Sequence, residues 1–546
     1  MSYFDLPRIY FSGTFRADPS TINNDAANFA EPKNIDPGWN PNGSHAFQLL
    51  RGSEKTIPPG ATVVPTTVKA VATPAGKVIT SGDPLIGTPA ASTDDPVFGK
   101  LVDLDVAQQF VSQIWGMQVS IGAAGDAVIG DYEPAYFQQF FASRFAAAYQ
   151  SLLTNLKWPK SPKSPTLKAL KAASPKQLSI RFMLDMMDQD STDANFTLGR
   201  ITGVIGPATA KEPAHVTVGR MLRLAPKTID FSASKEAAAA AANDPEGGPS
   251  LPYNFAPAKV DAKRKVVGVD LANALPFDQN GNPSNAGKLE LAVQLPSGPA
   301  VLGPIDNSLA NYLNQAFFFE LPLGQHAKDV ASNPLVLLSD GKVVMTENPT
   351  GAWIDASEHV YRLDAEKSAA VTLYATTFGA PAAKGQTIKL SVQQMGSGKT
   401  QKPLSVPTSV KLGSGGTATF TMKSGTPGDP RGPIDGQVYG VHFQWSENTI
   451  PDQSAFVSVR VFDAFAVPKK PTWEDDILPI FQQYVVLFPY MKNILDLSDQ
   501  ATVLANRKAI AEVMRLPMTD PHFMPVTRDL SGPKTKMILA WLKSPA

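Results

Sequence analysis

Histidines at positions 45, 215, 326, 359, 442 and 522 are the side chains of this sequence best suited to proton transfer or metal binding near neutral pH. No two of them stand at metal-ligand spacing, so a site built from them needs long-range folding, with Asp103, Asp105 or Glu358 as partners. For any single histidine the plainer reading is a surface group or a satisfied core group. His442 alternates with Phe443 and Trp445 in a β-prone run, which suits a small-ligand surface and equally suits ordinary sandwich decoration. His442, Trp445, His45 and Trp115 are the candidate binding residues; no catalytic residue and no metal site is assigned. Cysteine is absent, which excludes disulfides, thiolate metal sites, iron–sulfur clusters and a cysteine nucleophile.

Other motifs fail on context. Gly396-Ser397-Gly398-Lys399-Thr400 resembles the end of a phosphate-binding loop, but Gln393 stands where the motif's first glycine belongs, and Gln401-Lys402-Pro403 starts a helix poorly. A hairpin loop is the better reading. Gly-x-Ser-x-Gly, His-Glu-x-x-His and a Gly-x-Gly-x-x-Gly after a strand are all missing. Asp278-Gln279-Asn280-Gly281-Asn282 lacks the spaced acids of a calcium loop and reads as a turn. Six lysines between Lys157 and Lys176, with no acid among them, read as a solvated linker holding a short helix rather than a docking patch.

The elements that must position these residues are mostly strands. Residues 1–95 are turn-rich with short β-prone runs, and Gln177–Leu184 and Gly199–Leu224 read as buried strands. Tyr136, Phe137, Phe140, Phe141, Phe145 and Tyr149 recur at helical spacing after Glu133-Pro134, which predicts a core-facing helix near 133–156. Six short strands separated by Gly/Pro/Ser turns over 366–467 carry the pattern of an Ig-like β-sandwich. Beyond Pro468 the texture turns helical, with Asp475–Lys492, Ser498–Leu516 and Pro533–Leu542 as helices and Ser498 as a cap. The expected fold is α+β and β-rich. Its regions are an N-terminal β-rich domain at 1–265 with the inserted helix, a second β region at 266–365, the sandwich at 366–467 and a helical segment at 468–546.

Composition bounds the function. The 546 residues carry 49 Lys+Arg and 49 Asp+Glu, a net charge of zero. That argues against nucleic-acid or polybasic membrane binding through bulk charge. Hydrophobic residues make up 43%, enough for a sizeable core, and no apolar run approaches the length of a membrane span. Asp5 and Pro7 interrupt the start where a signal peptide would need an apolar run, so a cytoplasmic location is expected.

Several segments resemble one family in the same order. Asp5-Leu6-Pro7-Arg8-Ile9-Tyr10-Phe11-Ser12-Gly13 resembles the opening of the violacein-pathway indole-pyruvate imine dimer synthases and their chromopyrrolic acid synthase relatives. Phe523-Met524-Pro525-Val526-Thr527-Arg528-Asp529-Leu530-Ser531-Gly532-Pro533-Lys534 is similar to the family's Tyr-Met-Pro-Ser-Thr-Arg-Glu-Leu-Ser-Ala-Pro-Lys stretch. Val102-Asp103-Leu104-Asp105, Gln113-Ile114-Trp115, Gly219-Arg220-Met221-Leu222, Leu289–Pro296 and Tyr484–Leu497 fit between them. The resemblance implies shared structural residues at Pro7, Arg8, Phe11, Gly13, Asp103, Asp105, Met524, Pro525, Thr527, Arg528, Ser531, Pro533 and Lys534.

Those synthases are about twice as long, and their second half resembles a ferritin-like bundle with Glu-x-x-His iron ligands. The one such motif here, Glu212-Pro213-Ala214-His215, holds a proline that opposes a helix. The resemblance is thus to the non-ferritin half. No cofactor is expected; haem or iron is implied by the resemblance alone.

Three functions follow as expectations. The first is a non-catalytic companion or scaffold of a secondary-metabolism synthase-like system, partnering a separate ferritin-like or redox enzyme. The second is a β-sandwich binding or secreted effector protein recognising a glycan or a protein surface. The third is a stand-alone metal- or haem-dependent enzyme on a substrate derived from an aromatic amino acid. The expected partner is a protein, with no nucleic acid and no membrane; oligomeric state does not follow from the sequence. Both chain ends carry a Pro–Arg motif, which suggests the N-terminal strand docks near the C-terminal helices, with Arg8 or Arg528 on buried carboxylates or carbonyls.

Overall fold

The computed structural model describes residues 2–18, 43–55, 57–93, 99–105, 108–141, 144–210, 213–225, 253–395, 398–432, 434–447 and 456–544. It is α+β and β-rich, with three β units in sequence and a helical segment at the C-terminus.

The first unit is a closed antiparallel barrel. Strand Arg8–Asp18 pairs Leu198–Pro207 on one side and Ala46–Leu49 on the other. The ring continues through Leu178–Asp185, Ala146–Lys157, Ala135–Phe141, Gln108–Trp115 and Gly99–Asp105, which returns to Ala46–Leu49. Closure removes the exposed edges that an open sheet would leave. Alternation fills the interior: Ile9, Phe11 and Phe15 point in with Ile180, Phe182, Ile201 and Ile205. Gly13 has the same inward parity, and a Cβ there would lie 2.3 Å from Thr66 Cα, so no larger residue fits. Helix Pro165–Ala173 plugs the barrel with Leu167 and Leu170.

The helix expected near 133–156 is instead two paired strands, Ala135–Phe141 and Ala146–Lys157, with Phe145 at φ 47° just ahead of the second. Their aromatic and alanine-rich sequence satisfies helical spacing. Barrel closure offers both strands pairing partners from segments distant in sequence, and aromatic residues suit strands at least as well as helices.

The second unit is an eight-stranded antiparallel sheet curled around its own core. Its outer strands, Gly298–Pro304 and Phe318–Pro322, approach through Gly303 and Leu321. Arg220–Leu224 and Ala256–Asp261 belong to this sheet, not to the first unit as a boundary at 265 would have it. The sandwich likewise begins earlier than 366: Ala352–Ala356 pairs Ser368–Thr377 in one sheet, and Val360–Leu363 pairs Phe456–Val461 in the other. Its core is apolar and includes Val371, Leu373, Phe420, Val441, Phe443 and Trp445.

The last segment packs the helical turns Trp473–Ile477 and Leu478–Leu487 with helices Gln500–Ala505, Arg507–Val513 and Gly532–Lys543 around Trp473, Phe481 and Trp541. Asp499, not Ser498, caps Gln500–Ala505, its carboxylate accepting the Thr502 N–H at 2.9 Å. No described helix is long and apolar enough to cross a membrane.

Candidate functional site: a charged junction

The hairpin Gly99–Asp105 and Gln108–Trp115 brings the sequence-predicted Asp103, Asp105 and Trp115 to the seam where barrel, sandwich and C-terminal segment meet. Its register sets Lys100 opposite Trp115 and Asp103 opposite Ser112, with an irregularity before Asp105. That irregularity matters, because bulges re-aim side chains. Asp103 accepts the Ser112 hydroxyl, while Asp105 is fully buried and faces the sandwich.

Asp105 is the centre of the network. Arg431 grips it with two bonds, Nη1 to Oδ1 at 2.7 Å and Nη2 to Oδ2 at 2.9 Å, and Arg460 Nη1 lies 3.1 Å from Oδ2. Such bidentate pairing fixes geometry as well as charge. Arg460 carries the network onward, with Nη2 donating to the Asp435 carbonyl at 3.0 Å and Nη1 lying 3.7 Å from Asp529. Asp529 accepts Tyr484 Oη at 2.9 Å and Thr527 Oγ1 at 2.5 Å. Lys534 Nζ closes the set on Asp435 at 2.9 Å. Asp103, Asp105, Thr527, Arg528 and Lys534, from two distant stretches of sequence, therefore meet at one seam.

Arg528 stands in a left-handed conformation, φ 53°, after the cis Met524–Pro525 bond. It donates to the backbone carbonyls of Met518 (3.2 Å), Asp520 (3.0 Å) and Val526, and its guanidinium lies 5.4 Å from the Trp115 ring centre. Arg362 lies 5.6 Å from the same ring and donates to Gln113 Oε1. Among the described residues neither arginine has a carboxylate at ion-pair distance, and Trp115 Nε1 and Arg362 Nε are buried without an acceptor. Burial and the repulsion of Arg362 pull Arg528 down to about 9. Burial and the repulsion of Arg460 pull Arg362 down to about 10, against the attraction of Asp529, Asp105 and Asp103.

Two more titrating groups sit here with opposite perturbations. Burial, opposed by the Ser112 bond and reinforced by Asp105, raises the Asp103 carboxyl to about 7. His45 is buried against Phe488, and burial pushes it down to about 4. Its Nδ1 lies 2.8 Å from the Leu101 carbonyl, which fixes Nδ1 as the protonated nitrogen of the neutral ring. Met524 and Val526 pack with Phe488 and Trp115 below this pair. Ser531 precedes helix Gly532–Lys543, and Pro533 occupies its first turn.

The remaining expected residues lie elsewhere. Pro7 follows a cis bond, and Arg8 turns toward the second sheet, 2.7 Å from Glu320, with Nε donating to Tyr10 Oη at 3.1 Å. The N-terminal strand therefore docks on the second sheet and not on the C-terminal helices. Arg528 does bind carbonyls. Trp445 is 3% exposed in the sandwich core, while His442 points to the opposite face of its strand, half-buried beside Phe456. The two cannot share a ligand surface. His215, from the Glu-x-x-His motif, lies in a loop with Nε2 3.2 Å from Glu358. Glu212, Gly396 and Ser397 fall outside the described residues. Among the described residues no group of three His, Cys, Asp or Glu is placed to hold a metal.

Sequence reasoning missed Arg362, Arg431, Arg460, Asp435 and Tyr484. One signal was available: Arg460 interrupts the apolar Phe456–Val461 at a position whose neighbours are buried, and a buried cation demands partners.

No family model and no curated protein matches the chain. Among solved structures it is similar to domains 4 and 5 of the S-layer protein SbsC over 39% of this chain and 90% of that one, at 11% identity and a TM-score of 0.14. It is also similar to native E. coli alpha-2-macroglobulin over 85% of this chain and 35% of that one, at 11% identity and a TM-score of 0.14. Likeness at those scores carries neither fold nor function.

Proposed function

We propose that the chain is a non-catalytic companion or scaffold of a synthase-like system of secondary metabolism, holding a separate ferritin-like or redox enzyme. The observation that supports this is the junction itself. Asp105, Arg431, Arg460, Asp529, Tyr484, Asp435 and Lys534 bond to one another, so groups capable of chemistry are spent on fixing three layers in one geometry. A frame of fixed shape is what a partner-positioning protein requires. Purifying the full chain from its native cells under mild conditions tests the reading. Copurification of a helical metalloprotein in fixed ratio, with no metal or haem absorption in the chain alone, is the expected result. About one iron or haem per chain would overturn it and favour the enzyme.

A second reading rests on one specific observation. His442 lies on the outer face of its strand, 5.1 Å from the Phe456 ring; its Nε2 is buried without a partner among the described residues, so only the remainder of this half-buried residue can meet a ligand. An imidazole beside an aromatic suits a glycan or protein surface. Loss of glycan-array binding in His442→Ala would support it.

A further inference from the structure

The 157–176 segment is not a linker. Ser164 caps helix Pro165–Ala173, its Oγ accepting the Leu167 N–H at 3.1 Å. Leu167 and Leu170 are fully buried in the barrel core. Trp158 Nε1 donates to the Pro175 carbonyl at 2.9 Å, and Lys171 Nζ donates to the Pro159 carbonyl at 2.9 Å. These bonds fold the strand end, the loop and the helix onto one another as a lobe over one end of the barrel.

On that lobe Lys157, Lys160, Lys163, Lys168 and Lys176 are exposed, and none of them has an ion-pair partner among the described residues. Two carboxylates reach its base, and the lobe's own backbone holds both. Asp126 accepts the Lys163 N–H at 3.2 Å, and Asp83 accepts the Thr166 N–H at 3.2 Å and its hydroxyl at 2.6 Å. Six lysines against these two carboxylates leave the lobe with an excess of positive charge, and an anionic partner would relieve the repulsion.

We infer that this lobe is a docking surface for a protein bearing a cluster of carboxylates. Charge complementarity selects the class of partner. Six of the 49 basic residues lie in 157–176, where there is no acid, so the rest of the chain has 43 basic against 49 acidic residues, net −6. An extended polyanion would meet that negative remainder as well as the lobe, whereas a compact acidic patch meets the lobe alone. A membrane-binding surface would also offer an apolar wedge, and none of the exposed large apolar side chains of the described residues lies in 157–176. The lobe is held in place by its core leucines, so docking costs little ordering entropy. The inference deepens the companion reading by naming the surface a partner would use, and it rests on that reading for the partner's existence.

The test uses the full chain and a labelled oligoglutamate of about six residues, roughly 20 Å when extended and so short enough to lie on the lobe alone, at low salt, read by fluorescence anisotropy. The wild type should bind, with affinity falling steeply as salt rises. A variant carrying Lys160→Gln, Lys163→Gln, Lys168→Gln and Lys176→Gln should bind at least about tenfold more weakly while melting no lower than wild type. Equal binding by both chains, or none by the wild type, overturns the inference. So does phosphatidylserine-vesicle binding that the variant loses while oligoglutamate fails to bind, which would assign the lobe to a membrane. Low-salt self-association that the variant abolishes, seen by light scattering, would make the occupant a second copy and equally overturn it. If oligoglutamate binds as expected but no protein copurifies with the chain, the companion reading fails and the surface stands.

Discussion

The barrel has two charged seams, and they handle buried arginines differently. Against the second sheet, four arginines meet carboxylates: Arg8 on Glu320, Arg181 on Asp270 at 2.6 Å, and Arg144 and Arg200 together on Asp185, which also accepts Tyr312 Oη at 3.0 Å. Burial would lower Arg8, Arg181 and Arg200, yet all three are held above their usual range, Arg8 by Tyr10 and Glu320, Arg181 by Tyr3 and Asp270, and Arg200 by Asp185. Against the C-terminal segment, Arg431 and Arg460 share Asp105, but Arg528 and Arg362 rest on carbonyls, an amide and one indole, and both are pushed down. A cation satisfied by a carboxylate is fixed by charge. A cation satisfied by carbonyls is fixed by shape, and little Coulomb energy is lost when it goes.

The sharpest test of that contrast is Asp185→Ala. It strands Arg144, Arg200 and the Tyr312 hydroxyl in the interior and should cost about 3–5 kcal/mol in urea unfolding. Arg528→Met should cost less, about 1–2 kcal/mol, because three carbonyls lose a donor while a poorly compensated charge is also removed. Equal losses in the two variants would break the comparison. An unchanged stability in Arg528→Met would show that the Met518, Asp520 and Val526 carbonyls find other donors.

How much of this the residues foretold depends on the range of the interactions involved. Alternation along Thr387–Gln394, Thr417–Lys423 and Gln437–Trp445 is local, and the sandwich was legible from it. Helix Gly532–Lys543 was legible from Pro533 and its amphipathic spacing. The strands at 135–157 were not, because what holds them extended is pairing with Leu178–Asp185 and Gln108–Trp115, which no local pattern reports. The assignment of Arg220–Leu224 to the second sheet failed for the same reason, since its partners include Met345 and Thr346. At the junction, Asp103, Asp105, Arg528 and Lys534 were reachable by resemblance. Arg431 and Asp435 were not, because they sit in a turn-rich stretch with no periodicity to mark them as buried.

The smallest effects discriminate most finely, because two neighbouring groups at the C-terminal seam oppose each other. The Asp103 carboxyl is raised to about 7 in the folded chain against 3.8 unfolded. Between those values the folded state binds the extra proton, so Asp103 lowers stability as pH rises through that window. His45 is depressed to about 4 against 6.5 unfolded. There the unfolded state binds the extra proton, so His45 raises stability as pH rises over nearly the same window. The wild type should therefore show a shallow profile between pH 4 and 7. Asp103→Asn should be the more stable chain at pH 8, by at least about 1 kcal/mol, lose that advantage near pH 4, and expose the rising His45 slope. His45→Gln should do the reverse, with a smaller amplitude, leaving a profile that falls from pH 4 to 7. Melting temperatures across that range read both slopes. A single variant that leaves the profile unchanged would mean its residue is solvated in the folded chain, and that the seam beside Trp115 is more open to water than the one around Asp185.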